Sequence, residues 1–417
     1  MKRIKQKKAV DQGVRQLVLQ MPEVIAQQLH EMVVGAGLTV LAAMLEAERE
    51  RVCGPRYAHV EGRRAHRAGH APGELALGGR RVSVKRPRAR TVDGNEVRLK
   101  TWEAFADDDP LHQRAVEQRV VGVSTRKYAR SLEPVAAKTR GTSKSAVSRR
   151  FVALTKKKLD AMLESSIGEL KLAVLMIDGI HIDDHVVLVA LGIDEEGRKH
   201  VLGLHEGATE NATACKGLLA NLRRRGLRTD RSILVVIDGS TALRKAVRDV
   251  LGKKGVVQRC QLHKRRNVVD YLPEGMRKRI DTAMAQAYRC GDEKKAKRLL
   301  TNLANVLEDA HPSAATSLRE GLDETLTVLR FGLPEALVRT LSTTNAIENI
   351  QGGIRRVCRR VTTWRGGSMI LRWVGAALVE HARGFRRLRG HKGMEKLVAE
   401  LRALDGEYTV ARHEKAA

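Results

Sequence analysis

Two separate runs of aliphatic residues each end in Asp-Gly, and they constrain the fold more than any other feature of the chain. The first covers residues 173–177 and leads into Asp178-Gly179, and the second covers 233–237 and leads into Asp238-Gly239. An unbroken aliphatic run of this kind is typical of a strand that is buried on both faces. Each aspartate is therefore predicted where a buried strand ends and a hydrophobic sheet meets solvent.

Strand and helix patterns on either side of these runs predict one α/β core. The order β-β-β-α-β-α-β indicates a mixed five-stranded sheet. If the strands that lead to Asp178 and Asp238 are parallel neighbours about 4.8 Å apart, their carboxylates meet at one edge of the sheet. The other elements predicted for this core are strands 185–191, 199–204 and 256–258 and helices 212–225 and 241–251.

Helical patterns dominate both ends of the chain. Residues 9–52 are predicted to be helical, with a break at the Gly-Ala-Gly of residues 35–37. After the core, residues 273–341 are predicted to be all helical, and a basic helical region follows from Thr344.

The segment before the core contains a hairpin pattern and a pattern that resembles a helix-turn-helix. Residues 74–85 predict two strands joined by a two-residue turn at Gly78-Gly79. A basic helix after a glycine turn favours DNA reading, while simple packing of a helical hairpin remains the alternative. Helices are predicted to start near Leu111, after a cap at Ser124-Thr125-Arg126, at Pro134 and at Lys144.

The charge of the chain predicts a polyanionic partner. The formal net charge is +29 and the pI is about 10.4, which favours nucleic acid. A basic surface that is merely solvated is the alternative. Aromatic residues make up only 3% of the chain, which disfavours a single-strand binder built on stacked aromatics.

Cysteine usage and hydropathy predict a cytoplasmic, soluble protein. The five cysteines are scattered and odd in number, which indicates reduced thiols and not a disulfide framework. The first five residues, Met1 to Lys5, lack the apolar core of a signal peptide. No stretch approaches the roughly 20 apolar residues that a membrane span needs.

Acidic residues at one sheet edge of a cationic protein indicate metal-dependent phosphodiester chemistry. A single Asp-Gly is often only a turn, so one copy alone carries little weight. Two neighbouring carboxylates repel each other unless a cation lies between them, and Mg²⁺ or Mn²⁺ prefers such oxygens. Glu348, at the head of the basic C-terminal helices, can supply a third carboxylate, although a polar helix often carries a glutamate that is only solvated.

These features together resemble the RNase H-like DDE transposases and, more narrowly, the Mutator-type bacterial insertion-sequence transposases. The resemblance extends in order over about residues 55–390. The matching motifs are Asp178-Gly179, Gly226-Leu227, residues 236–239, 258–267, 343–348 and 355–357, and upstream residues 121–126 and 145–149.

The resemblance implies a role for each acid and for a Cys-x-x-His signature. Asp178, Asp238 and Glu348 would be the catalytic triad and would bind two Mg²⁺ ions, for which Mn²⁺ substitutes. Cys260 and His263 would lie near these metals in an architectural role. Zinc is the alternative for this pair, but it supplies only two of four tetrahedral ligands.

A second group of possible zinc ligands lies near the N-terminus. Cys53, His59, His66 and His70 are close in sequence, but His66 and His70 are predicted in a loop. A basic segment that faces DNA is the favoured interpretation.

The sequence departs from the usual family pattern at two places. Asp183 and Asp184 add acids shortly after Asp178, which complicates the metal assignment, although the strand-end argument still selects Asp178. Phe385 stands where tryptophan is more typical of the family. Neither difference removes a catalytic group.

Basic clusters are predicted to contact DNA phosphates. The group that follows Glu348 has helical spacing and is expected to hold phosphates near the acids. The predicted DNA-binding residues are Arg80, Arg81, Lys85, Arg86, Lys144, Arg149, Arg150, Lys264, Arg265, Arg355, Arg356, Arg359 and Arg360.

The resemblance also implies a domain organisation in which the catalytic core is split by an insertion. The predicted regions are an N-terminal helical region (1–52), a basic hairpin region (53–110), a helix-turn-helix-like DNA-binding region (111–168), the first part of an RNase H-like core (169–272), an all-helical insertion (273–341) and the catalytic Glu helix with basic C-terminal helices (342–417).

The sequence thus predicts a transposase that binds the terminal inverted repeats of its own element, cleaves DNA and joins the end to a target. The family further implies copy-out/paste-in movement and a homodimer or larger synaptic assembly on double-stranded DNA. The alternatives are a transposase-derived DNA-binding regulator, or an RNase H-like nuclease or resolvase without strand transfer.

Overall fold

The computed structural model describes residues 32, 35–58, 62–77, 79–106, 110–132, 139–207 and 212–414. Contacts divide the chain into two compact units, residues 1–154 and 155–417. The predicted helix over residues 9–31 and the helix start at Pro134 lie outside the described residues. No helix within the described part of the chain is both long and apolar enough to cross a lipid bilayer.

The first unit is built on a long antiparallel hairpin. Strands β1 (Ala65–Leu77) and β2 (Arg80–Thr91) pair so that Leu77 lies opposite Arg80. The predicted two-residue turn is therefore confirmed. Both strands extend well beyond the predicted residues 74–85, because the pairing continues through a register shift near the start of β1.

That register shift corrects the prediction of a loop at His66 and His70. Both histidines lie in β1, on either side of the shift between Arg67 and His70. Gly69 has φ +73° there, a left-handed conformation that glycine adopts without a steric penalty. The glycine-rich sequence therefore forms an irregular strand instead of a loop.

The described part of the first unit also contains a short strand and further helices, and two predictions about this region are wrong. Residues 35–37 are helical and not a break, since a glycine costs a helix only about 1 kcal/mol and good helix formers follow. After Ser124 the chain forms turns and a 3₁₀ turn (Ala129–Ser131) in place of the predicted helix. The elements are α1 (residues 35–53), α2 (Lys100–Ala106), α3 (Pro110–Val121) and β3 (Thr139–Arg140), which pairs with β2.

The basic helix predicted from Lys144 is present as α4 (Lys144–Glu164). The Ser143 side chain caps it, since its Oγ accepts a hydrogen bond from the Ala146 N–H at 3.3 Å. Val147 and Phe151 are buried in its first half, whereas Lys144 and Arg149 are exposed.

The second unit contains the predicted mixed five-stranded sheet. Its strand order is β6-β5-β4-β7-β8, with antiparallel pairing among the first three strands and parallel pairing among β4, β7 and β8. The bounds are β4 (Leu172–Ile182), β5 (His185–Asp194), β6 (Lys199–Gly207), α5 (Ala212–Arg224), β7 (Ile233–Ile237), α6 (Thr241–Leu251) and β8 (Gly255–Arg259). The predicted element order of the core is confirmed.

Strand β4 differs from its prediction in one respect that matters for the site. It continues four residues past Asp178 to Ile182, because it forms a hairpin with β5 in which Asp178 lies opposite Val189. Asp178 is therefore inside a strand, while Asp238 directly follows the end of β7.

A hydrophobic core packs against one face of this sheet. Leu175 and Ile177 of β4 and Val235 and Ile237 of β7 are fully buried against α5 and α6. The connection between α5 and β7 depends on Gly226, whose φ is +106° and at which a Cβ would lie 2.9 Å from the Gly168 backbone. Any other residue there would clash with main chain that cannot rotate away.

Helices fill the remainder of the second unit. A separate apolar core unites the helices that follow the sheet, and Met284, Leu300 and Leu318 lie within it. These helices are α7 (Gln261–Asp270), α8 (Glu274–Tyr288), α9 (Glu293–Leu307), α10 (Pro312–Arg319), α11 (Leu322–Thr325), α12 (Thr327–Arg330) and α13 (Glu335–Leu341). The chain ends with α14 (Asn345–Cys358), α15 (Gly367–Ala382) and α16 (Met394–Glu414).

Candidate active site

The two strand-associated aspartates lie side by side. In the parallel pairing of β4 and β7, Met176 is opposite Val236, and the same register brings Asp178 level with Asp238. The charge of Asp238 acts on Asp178. The predicted meeting of these two carboxylates at one edge of the sheet is thus present in the structure.

Asp178 is buried, and its surroundings disfavour its charged form. Its relative exposure is 7%. Burial and then the neighbouring charge of Asp238 raise its pKa to about 7. The carboxylate oxygens accept hydrogen bonds from the Gly179 N–H (3.0 Å) and from Gln351 Nε2 (2.8 Å), which fix its orientation.

Asp238 lies between the end of β7 and the start of α6. Its Oδ1 accepts a hydrogen bond from the Ser240 N–H at 2.9 Å, and Ser240 caps the helix through the Leu243 N–H. The aspartate is therefore held by the turn that joins strand and helix.

The third acid, Glu348, reaches the same place from α14. It lies in the first turn of that helix, and its charge also raises the pKa of Asp178. Its Oε1 accepts a hydrogen bond from Thr344 Oγ1 at 2.8 Å and lies 3.8 Å from His263 Nε2. The three predicted acids thus converge, although Glu348 is far from the aspartates in sequence.

Cys260 and His263 lie directly beside Glu348. One ligand atom each from Cys260, His263 and Glu348 lies within 4.8 Å of the others. The hydrogen bond to Cys260 is the main reason that the pKa of His263 is raised to about 9, and the charges of Asp178 and Glu348 add to it. For Cys260, burial raises the thiol pKa, but hydrogen bonds from His263 and Thr344 outweigh it and lower the pKa overall.

A divalent cation suits this donor set. Asp178 is buried, and Asp238 and Glu348 beside it are half-buried. Burial first and then the charge of Asp238 raise the pKa of Asp178, whereas the charge of His263 lowers it. Carboxylate oxygens are ligands for hard divalent cations. The residues present therefore fit a bound metal ion.

Comparison with known proteins identifies the family of this chain. A family model for transposases of the Mutator family matches residues 8–387, which include all three acids. The chain belongs to the Mutator family of transposases.

Several insertion-sequence transposases are similar over most of their length. That of IS406 from Burkholderia multivorans is 29% identical over 358 residues, which cover 83% of this chain and 90% of the relative. That of ISRM5 from Rhizobium meliloti is 27% identical, covering 86% and 90% respectively. That of IS1081 from Mycobacterium tuberculosis is 24% identical, covering 91% and 92%. Membership of this family supports DNA transposition as the activity.

The additional acids of this Mutator-family chain lie away from the triad. Asp183 and Asp184 form the turn between β4 and β5, and both are exposed. Asp183 has φ +53°, which places it in the left-handed region that aspartate tolerates in turns. These two acids are therefore part of a hairpin turn, beyond the strand segment that carries Asp178.

The proposed N-terminal zinc ligands do not converge among the described residues. Cys53 is buried, whereas His66 and His70 are exposed on β1. His59 lies outside the described part of the chain. The Cys260, His263 and Glu348 group is the one set of three such ligands found within the described residues.

The predicted DNA-contacting residues differ in how far they face solvent. Arg86 is half-buried and paired with Glu96 at 3.0 Å, and Arg265 is paired with Asp281. Arg81 and Arg150 are also half-buried, and Arg150 Nη1 donates to the Gly141 carbonyl oxygen at 2.5 Å. The exposed members are Lys85, Lys144, Arg149, Arg355, Arg356, Arg359 and Arg360.

Two members of that set are buried. Arg80 has a relative exposure of 7% and Lys264 of 3%. Lys264 Nζ donates to the carbonyl oxygens of Ser317 (2.6 Å) and Glu320 (2.8 Å), which fastens α7 to the end of α10. An ammonium used in this way is not displayed to a phosphate, so the structure indicates a packing role for Lys264.

Sequence reasoning missed two residues that orient the acids. Gln351 is buried, with a relative exposure of 3%, and its Nε2 also donates to the Gly179 carbonyl oxygen at 3.2 Å. Thr344 is fully buried and contacts Glu348, Cys260 and His263. Thr344 lies four residues before Glu348 and Gln351 lies three residues after it, so the three residues share one face of the helix. This spacing is the sequence signal from which the two residues could have been predicted.

Proposed function

We propose that this chain is a DDE transposase with an RNase H-like catalytic core. It binds the terminal inverted repeats of its insertion sequence and catalyses DNA cleavage and strand transfer with Mg²⁺. The observation that carries the proposal is the convergence of Asp178, Asp238 and Glu348 in a chain of the Mutator family. The strand order of the sheet supports the RNase H-like assignment. Strands β6, β5 and β4 are antiparallel, and β4 is also parallel to β7, which is parallel to β8.

Each residue of the site has a defined task in this proposal. The three carboxylates bind two Mg²⁺ ions, with Mn²⁺ as a substitute. Bound metal supplies activation of the attacking oxygen and stabilisation of the leaving oxygen in phosphodiester chemistry. Gln351 holds Asp178 and Thr344 holds Glu348, so the carboxylates are oriented before DNA arrives.

The exposed arginines at the end of α14 are proposed to bind DNA phosphates. Arg355 and Arg356 lie in the last turn of the helix that carries Glu348, Arg359 caps that helix and Arg360 follows it, and all four are exposed. Guanidinium groups bind phosphate oxygens in a bidentate manner, and binding of this type weakens steeply with salt. DNA held there lies on the helix that supplies the third acid.

The decisive experiment is cleavage and joining of the element's own end DNA. With Mg²⁺ present, Asp178→Asn, Asp238→Asn and Glu348→Gln are expected to lose cleavage and joining while still binding DNA. Asp183→Asn is the matched control, because it removes an exposed acid from the hairpin turn that follows the same strand.

Each alternative function has its own outcome in this experiment. Sequence-specific end binding without cleavage by the unmodified protein would indicate a regulator. Cleavage without joining would indicate a nuclease or resolvase. Undiminished activity in all three acid variants would refute the DDE mechanism.

Transposition joins two ends, so a homodimer or larger assembly is expected on paired end DNA. The mass of the complex in solution measures this.

A further inference from the structure

A groove of about 450 Å³ lies along the edge strand of the catalytic sheet. Residues 255–257 of β8 line it, together with residues of α6, α11 and α12, and we call it the β8 groove. In the pairing of β7 with β8, Arg259 is opposite Ile237, the residue before Asp238. At about 3.3 Å per residue, the lining part of β8 lies roughly 10–17 Å from the level of Asp238.

Positive charge without a partner collects in the β8 groove. Arg248, Lys253 and Arg330 line it and are exposed, and none of the three forms an ion pair with the described residues. Like charges in one concavity repel each other, so a ligand with several negative charges is favoured there.

The two acids of the β8 groove are already paired and do not offset these cations. Glu324 accepts hydrogen bonds from Arg244 Nε at 2.5 Å and from Arg259 Nε at 2.6 Å. Asp323 pairs with Lys297 at 2.8 Å. The groove therefore keeps a net positive charge.

Hydrogen bonds within the protein disfavour a peptide strand as the ligand of the β8 groove. The Val257 carbonyl oxygen accepts a hydrogen bond from Thr327 Oγ1 at 2.7 Å, and the Gln258 side-chain oxygen accepts one from the Val328 N–H at 2.8 Å. A peptide that adds to a sheet edge depends on free main-chain groups of the edge strand. Charge is thus the feature that the groove offers, and the phosphates of DNA match it.

The acids lie between two cationic surfaces. Helix α14 packs on β4 and then on α15, which packs on β6, so the exposed arginines at the end of α14 lie towards the β6 side of the sheet. The β8 groove lies on the opposite side. Strand transfer brings two duplexes to the same acids, and each duplex needs its own phosphate contacts.

We propose that the β8 groove binds backbone phosphates of the target DNA duplex. The inference rests on the proposed function, since it assigns the second DNA partner of the same site. A distance of about 10–17 Å corresponds to three to five base pairs at about 3.4 Å each, so the contact lies that far along the target from the joined bond. Contacts of this type position the duplex without reading its sequence.

The test measures binding of branched DNA that mimics the joined product. Magnesium is left out, so that no cleavage occurs. One probe has target arms of about 12 base pairs and the other has arms of about two, too short to reach the groove. The unmodified protein is expected to bind the long-armed probe about tenfold more tightly. Its affinity should also depend more steeply on salt, by about 2.7 in the logarithmic slope, because three further phosphates are neutralised.

A triple variant removes the cations of the β8 groove. It is expected to reduce the tenfold preference to about one and to lose the additional salt dependence, while its affinity for an unbranched end duplex stays the same. The substitutions are Arg248→Ala, Lys253→Ala and Arg330→Ala.

A second triple variant is the matched control. It removes the same amount of charge from exposed positions of α5 and α6 outside the groove and is expected to keep the full preference. The substitutions are Arg223→Ala, Arg224→Ala and Lys245→Ala. All six substituted residues are exposed, so neither variant is expected to change the unfolding temperature.

Several results would overturn the proposal. These are equal binding of both probes by the unmodified protein, a full preference in the groove variant, or an equal loss in the control variant. Weaker binding of the unbranched end duplex by the groove variant would assign the groove to end DNA instead. A smaller mass of its complex on that duplex would assign the groove to contacts between copies of the chain.

Failure of the proposed function gives a different result. Protein that prefers the long-armed probe but never cleaves or joins DNA refutes the proposed function alone. Protein that cleaves and joins without this preference refutes only the assignment of the β8 groove.

Discussion

Two aspartates near opposite ends of strand β7 have opposite surroundings. Asp405 of α16 lies beside Ser232, which precedes β7, and it accepts hydrogen bonds from the Ser232 N–H and hydroxyl and from Lys254 and Arg402. At the end of β7, Asp238 faces Asp178, and the two carboxylates repel each other.

The pKa values of Asp405 and Asp178 differ accordingly. Burial alone would raise the pKa of Asp405, but its hydrogen bonds outweigh burial and lower the pKa to about 2. Burial and the charge of Asp238 raise the pKa of Asp178 to about 7. One end of the strand thus contacts a carboxylate that stabilises the fold, while the other end lies at the pair Asp178 and Asp238. A strongly shifted pKa such as that of Asp178 is typical of functional sites.

Removing the charge of Asp238 is expected to have the largest effect on activity. Asp238→Asn should lower the rate of DNA cleavage about a thousandfold, because metal charge stabilisation is worth several kcal/mol. Its unfolding temperature should stay the same or rise, since a repelling charge is removed. A calorimetric scan beside the cleavage assay checks both, and a clear fall in the unfolding temperature would contradict the comparison.

Loosening Glu348 is expected to have the next largest effect. Thr344→Val removes the hydroxyl that donates to Glu348 Oε1 and should slow cleavage about a hundredfold, since a misplacement of about 1 Å costs that much. Thr344→Ser keeps the hydroxyl and should retain most of the rate. Equal rates in the two variants would show that Glu348 is oriented by other contacts.

Loosening Asp178 is expected to cost less. Gln351→Leu removes the hydrogen bonds to Asp178 Oδ2 and the Gly179 carbonyl oxygen, and cleavage should slow about tenfold. Asp178 remains in a paired strand, which limits how far it can move. Single-turnover cleavage rates of Gln351→Leu and Thr344→Val are compared. A larger loss of rate in Gln351→Leu would contradict the expectation that Glu348 depends more on its hydrogen bond than Asp178 does.

Asp405 should affect the stability of the fold and the dependence of that stability on pH. A carboxyl whose folded pKa is lowered stabilises the fold above its unfolded pKa of about 4 and loses that contribution as the pH falls towards 2. Asp405→Asn should therefore remove about 1 kcal/mol near neutral pH, a value reduced by solvent screening at a partly exposed group. Urea unfolding at pH 7 and pH 3 measures this, with a smaller difference between variant and unmodified protein expected at pH 3.

The sequence predicted the sheet acids better than their surroundings. Two aliphatic runs were enough to predict two buried strands that lead to the acids. Their parallel pairing as neighbours was only a condition of the argument, and the structure supplies it. The extension of β4 beyond Asp178 was not predictable, since it depends on hairpin pairing with β5 and not on the local pattern. The helical state of residues 35–37 was missed for a similar reason, since the surrounding helix outweighs local glycine preference.

Side chains that orient the site were harder to predict than the acids themselves. Glutamine is an ordinary residue on the surface of a helix. Gln351 is buried against Asp178 only because α14 packs on β4. The buried state of Lys264 likewise depends on α10, whose carbonyl oxygens lie more than fifty residues away in sequence. Such contacts follow from tertiary packing, which a single sequence does not display.

The position of Glu348 along the chain has a consequence for the newly made protein. It follows Asp238 by about 110 residues, most of which form the helices between α7 and α14. At about 5–20 residues per second, the ribosome adds Glu348 several seconds after both aspartates have been made. A growing chain can therefore contain all five strands of its sheet while it still lacks the third acid.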